Sequence, residues 1–180
     1  MSTTTQKISP TQEESSNQST RTRAAGLANR IEEGAGLLAN FAQGLSDAEW
    51  RMPVSDSDNR PVGVIVHHVA NMYPIEIDVA KAVAAGNAVT EVTWEVVAQV
   101  NAKHAGEQSG VSKEEALELL RKNSRAAADA VRAFTDDELD RAAPFSLSFG
   151  APVTAQFVIE DHALRHSWHH LAKIRAKVSR

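Results

Sequence analysis

Apolar residues recur three or four positions apart along most of this chain, the spacing of one helix face. Leu27, Ile31, Leu38, Phe41 and Leu45 mark a first helix over residues 22–45. Ser46-Asp47-Ala48-Glu49 follows as a capping box, which predicts a short helical turn through Trp50. Turn formers fill residues 52–60, and Pro61 suits the first turn of a second helix reaching about Ala85. Its inward stripe is predicted as Ile65, His68, Met72, Ile75 or Glu76, Val79 and Val83, with a kink at Pro74. A shorter helix is expected from Trp94 to about Ala105. A third long one starts at Ser112-Lys-Glu-Glu115 and carries Ala116, Leu119, Leu120, Ala127 and Val131 to about Ala133. Thr135-Asp136-Asp137-Glu138 caps a short turn, residues 142–152 form a Gly/Pro-bounded loop, and a last helix runs from Val153 to about Lys177. No βαβ alternation, phosphate-binding glycine loop or internal repeat interrupts this order, so the pattern predicts an all-α four-helix bundle with short extra helical turns.

Residues 1–21 break the pattern. They are Ser-, Thr-, Gln- and Glu-rich, and such a segment buries too little to offset its ordering entropy, so a flexible polar tail is expected before a single domain over residues 22–180. Hydrophobic residues make up 42% and charged residues 23% of the chain, enough apolar content for one core. The net charge of −4 gives no general footprint for nucleic acid. There is no cysteine, which excludes disulfides, thiolate metal sites and cysteine nucleophiles, so a transition metal could be held only by histidine and carboxylate. No apolar run approaches the roughly 18 residues of a membrane span, and the N-terminus lacks the apolar core of a secretory signal. A cytoplasmic protein is the expectation.

Four of the seven histidines, His162, His166, His169 and His170, fall within nine residues of the last helix. A wheel at about 100° per residue places Asp161, Arg165, His169, Ala172 and Ala176 toward solvent. It places Phe157, Ile159, Ala163, Leu164, Trp168, Leu171 and Ile174 toward the core. His170 lies within the apolar arc, His166 at its edge, and His162 one step nearer water. Positions i and i+8 of a straight helix are about 12 Å apart, too far for one ion to take all three of the four-spaced histidines. His166 and His170 therefore form the inward pair, and His68 faces the core from the second helix. A shared metal would satisfy all three imidazoles at once and leave open positions for water or substrate. His67 falls on the Asn71 and Asp78 side as an outer neighbour. His104 reads as a cation near a helix end. The three tryptophans read as packing residues, with one available to line a pocket. Glu76, two turns from His68, and His162, at the pocket rim, are the candidates for acid–base work.

Gly63-Val-Ile-Val-His67-His68-Val-Ala early in the second helix and His166-Ser-Trp-His169-His170 in the last resemble the DinB/YfiT-like metalloproteins. The likeness covers the chain after residue 22, including Trp50-Arg-Met-Pro53 and the turns after the first and third long helices. It implies an up-down-down-up bundle, often a homodimer, with a divalent metal (zinc or nickel, or iron in some members) on His68, His166 and His170. It also implies a small-molecule substrate and a low-molecular-weight thiol as co-substrate of an S-transferase or isomerase. Ala172 stands where an iron-dependent oxygenase branch carries a glutamate, which argues against that chemistry. Metal-activated water would instead give a hydrolase. A metal-binding bundle without turnover, or a purely structural bundle with Trp168 and Leu171 at a dimer face, are the non-enzymatic alternatives.

Overall fold

The computed structural model describes residues 22–178; the expected polar tail, residues 1–21, lies outside them. The first helix, α1 (Thr22–Gln43), buries Ala24, Leu27, Ala28, Ile31, Ala35, Leu38, Ala39 and Ala42 along one stripe. At Ser46 the capping box forms as read: the hydroxyl accepts from Glu49 N, and the Glu49 carboxylate accepts from Ser46 N at 2.7 Å. It starts α2 (Asp47–Arg51), whose Trp50 is buried. Thr135 and Glu138 form a full box and start α6 (Asp136–Asp140), burying Leu139, whereas at Ser112, also read as a box, only the bond from Glu115 N to the hydroxyl forms.

Two expected loops are ordered more than the sequence reading allowed. The first, residues 52–60, together with Pro61 forms the antiparallel strands β1 (Pro53–Ser55) and β2 (Asp58–Pro61). The turn formers Asp56 and Ser57 sit at the tip, and Arg60 grips Asp58 with two side-chain hydrogen bonds of 2.9 and 2.7 Å. Pro61 closes β2 with ψ of 148° instead of lying in the first helical turn. Within 142–152, β3 (Ala142–Pro144) pairs with β4 (Pro152–Thr154), which explains the alternating apolar pattern there. Val153 consequently belongs to β4, and Thr154 caps the last helix by accepting from Phe157 N.

The second long helix, α3 (Val62–Ala84), is the centre of the molecule. Every residue from Val62 to Ala70 is buried, so a single inward stripe was too narrow a description, and Ile75 on that stripe is 44% exposed. The helix continues through Pro74, which has no N–H to give the Ala70 carbonyl. Asn123 of α5 (Lys113–Arg132) supplies the missing donor, its Nδ2 reaching Ala70 O at 2.9 Å. Between them runs α4 (Trp94–Glu107), capped by Thr93, with His104 as its one buried residue. The last helix, residues 155–178, comprises α7 (Ala155–Val158), a π turn (Ile159–Leu164) and α8 (Arg165–Val178).

Side-chain contacts fix the direction of each helix. Lys113 Nζ donates to the Leu45 carbonyl, so α5 begins where α1 ends and the two are antiparallel. Trp50 Nε1 donates to Val111 O at 3.1 Å, and the Trp50 ring covers Gly63, so α3 and α5 start at the same end and run parallel. Tyr73 pairs with Ser167 and Glu76 with His166, which sets α3 antiparallel to α8. Gly34 lies against Trp168, and the Arg175 guanidinium sits 5.3 Å over Phe41, so α1 and α8 are parallel. The result is the up-down-down-up bundle that the family resemblance implied.

Candidate metal centre

The π turn decides which faces of the last helix point inward. Its buried positions are Ala155, Val158 and Ile159, then Ala163, Leu164, Ser167, His170, Leu171 and Ile174. The step from Val158 and Ile159 to Ala163 and Leu164 is five residues, where a regular helix repeats every 3.6. A wheel drawn with one phase therefore mixes two. Phe157 and Trp168, read as inward, are 43% and 36% exposed, while Ser167, which the wheel did not select, is fully buried. His162 is turned toward the protein, its side chain 22% exposed and its ring edge-on to Phe145 at 5.6 Å. His169 is exposed, as the wheel placed it.

The structure brings together the three histidines selected from the sequence. Each of His68, His166 and His170 offers a nitrogen, and these nitrogens lie within 4.8 Å of one another. Their ring centroids are 5.0 Å apart for His68–His166 and His166–His170, and 5.9 Å for His68–His170. Burial pushes the His68 imidazole down to about 3 and that of His170 down to about 2, with the neighbouring His166 adding to both shifts. At neutral pH both are uncharged, the state in which an imidazole binds metal.

Glu76 is not remote from this cluster, as its position two turns along α3 had suggested. The last helix runs antiparallel beside α3, and Glu76 Oε1 accepts from His166 Nδ1 at 2.7 Å. This places the proton on Nδ1 and leaves the His166 Nε2 lone pair free, the carboxylate–histidine arrangement that orients metal ligands. His170 Nδ1 and Glu76 Oε2 are buried without a hydrogen-bond partner among the described residues. An orphaned imidazole nitrogen within a three-histidine cluster, beside the buried Glu76 carboxylate, fits a divalent transition metal.

Two other histidines differ from the sequence reading. His67 is buried, not an outer neighbour, because α4 folds over this part of α3. Its Nδ1 shares a 2.8 Å hydrogen bond with Nε2 of His104, which is also buried; burial depresses both imidazoles, so His104 is not the helix-end cation expected. Tyr73 and Ser167, joined at 2.7 Å in the core, tie α3 to α8 next to the ligand pair. Nothing in the periodicity singled out Ser167, because its burial depends on the π turn.

The histidines open onto a cleft of about 350 Å³ between α3 and the last helix, with Trp94, Val97 and Asn101 of α4 on its third side. His162, Arg60 and Lys173 also border it. The sequence matches the family profile of the DinB superfamily over residues 30–174. The chain belongs to the DinB superfamily. No curated protein matches it. Among solved structures, YfiT from Bacillus subtilis, described as a probable metal-dependent hydrolase with an unusual four-helix bundle topology, aligns with a TM-score of 0.68. The alignment covers 99% of this chain and 94% of YfiT at 16% identity, so the likeness is one of fold. Among the described residues of this DinB-superfamily chain, no helix is long and apolar enough to cross a membrane.

Proposed function

We propose that this DinB-superfamily chain is a metal-dependent hydrolase of a small molecule, with His68, His166 and His170 holding a divalent ion. The observation that carries the reading is the buried cluster of three imidazoles, one oriented by Glu76, opening onto a cleft of small-molecule size. Three protein ligands leave positions for water or substrate, as catalytic sites do. An all-imidazole set suits zinc or nickel. A divalent ion bound there supplies Lewis acidity and an activated water.

The chain's own residues then divide the work. Glu76 Oε1 keeps the proton on His166 Nδ1 and fixes the plane of that ring. His162 borders the cleft one turn before His166, and burial holds its imidazole below the usual range. It is therefore unprotonated at neutral pH and can take a proton from a nucleophile in the cleft. Met72, Val79 and Phe145 wall the cleft with apolar surface and limit access of bulk water.

The description of YfiT as a probable metal-dependent hydrolase supports hydrolysis. The thiol-dependent transfer implied by the sequence resemblance is the competing reaction at the same site. Elemental analysis of the purified chain is expected to find about one divalent ion per chain, lost in the His68→Ala/His166→Ala double variant. A metal-free wild type, or a double variant that keeps its ion, overturns the metal reading. The metal-loaded protein is then assayed on a panel of esters, amides and lactones with and without added thiols. Turnover without thiol that falls about 10²-fold or more in His162→Gln supports hydrolysis, whereas turnover that requires thiol replaces it with transfer.

A further inference from the structure

Two cationic side chains meet at one end of the cleft. Because α3 and α8 are antiparallel, Arg60 of β2, just before α3, and Lys173 near the end of α8 share one end of it. Val79 and Phe145 border the other end, and the three histidines lie between. Arg60 is held by both oxygens of Asp58, and Arg165, also in the lining, by Asp161 at 3.2 Å. Lys173 alone among these cations makes no ion pair or hydrogen bond among the described residues. Its charge acts on Asp58, whose carboxylate is already committed to Arg60, and on His169 and His170. Lys173 is exposed at one end of a mainly apolar cleft, where its ammonium is free to meet the anionic group of a ligand.

We propose that the cleft takes a small amphipathic anion, whose negative group meets Lys173 and whose apolar part lies toward Ile75, Val79 and Leu147. The proposal rests on the reading of this cleft as a substrate site and names the class of molecule it accepts. The helix rise of 1.5 Å per residue also sets the length of the ligand. Lys173 lies about five residues beyond the midpoint of His166 and His170, or roughly 7–8 Å along the axis. The bond to be cleaved therefore sits several bonds away from the anionic group. The cleft volume of about 350 Å³ is at the lower end of small-molecule sites, roughly 300–1,000 Å³, and holds a short chain or a single ring.

The test is calorimetric binding to the protein as purified, with its metal content measured on the same samples. The probes are 4-phenylbutanoate, 3-phenylpropane-1-sulfonate and the neutral 4-phenylbutan-1-ol. The sulfonate is included because it is a poor metal ligand, so its binding reports the lysine and not the ion. Both anions are expected to bind about fivefold or more tightly than the alcohol at low ionic strength, with the preference shrinking as salt is added. Lys173→Gln should abolish the preference of the sulfonate over the alcohol, while Lys173→Arg should retain it. Equal binding of sulfonate and alcohol by wild type, or a preference that survives Lys173→Gln, overturns the proposal. The comparison of variants does not require an ion, so a metal-free protein that still shows a lysine-dependent preference separates failure of the metal reading from failure of this one.

Discussion

Glu76 shows how one side chain acts through another. Its carboxylate is buried, and its hydrogen bond to His166 Nδ1 is the arrangement that raises the basicity of a ligating imidazole. In Glu76→Gln the amide can still reach His166, but without negative charge and with the option of presenting an N–H. Metal affinity is expected to fall roughly 10- to 100-fold while the fold persists, measured by competition with a chromogenic chelator beside far-UV circular dichroism. Unchanged affinity in a folded variant would show that Glu76 does not orient the ligand. Sequence periodicity had placed Glu76 two turns from His68, as a candidate for acid–base work and not as a partner of a ligand. That distance is real, but it is measured along one helix, and the partner is on another.

Pro74 and the π turn are the two irregularities of the long helices, and each is compensated differently. Pro74 leaves the Ala70 carbonyl without its helical partner, and Asn123 donates to it from α5. Asn123→Ala is expected to cost about 1 kcal/mol, the net worth of such a hydrogen bond, as read from denaturant unfolding. Adding Pro74→Ala restores an N–H at the right place, so the pair should couple: the Asn123→Ala cost shrinks when position 74 is alanine. Independent, additive costs would sink this account. The π turn acts on side-chain direction instead. It rephases the helix so that Ser167 and His170 face α3 after Val158 and Ile159 have faced the same core. The helix was legible in the sequence, but its change of phase was not, because a single extra residue leaves the local apolar spacing nearly intact.

For the molecule as a whole, the histidine cluster joins α3 to α8, so an ion held there would link two helices that are far apart in sequence. Removal of the ion by a strong chelator should lower the melting temperature, because a ligand bound only by the folded state stabilises it by mass action. At a free ion concentration about 1,000 times the dissociation constant the effect is about 4 kcal/mol, or on the order of 10 °C for a chain of this size at roughly 2–4 °C per kcal/mol. Differential scanning fluorimetry of wild type and His68→Ala, each with and without chelator, checks it. A chelator shift of equal size in both proteins would assign the stabilisation to another site.

What the sequence determined by itself is what local pattern encodes. The long helices, the capping boxes at Ser46 and Thr135 and the choice of His68, His166 and His170 follow from residue spacing and rotation about single helices. The direction of α5 came into the sequence reading only through the family resemblance, and the contacts of Lys113 and Trp50 supply its physical basis. Tertiary structure alone decided the neighbours across helices. It set Glu76 on His166, His67 on His104 and Asn123 on Ala70, turned His162 into the cleft and left Lys173 unpaired at its end. The reason is physical: spacing along a chain fixes which residues share a face, while the antiparallel approach of α3 and α8 fixes which faces meet, and that approach is set by the packing of the whole bundle.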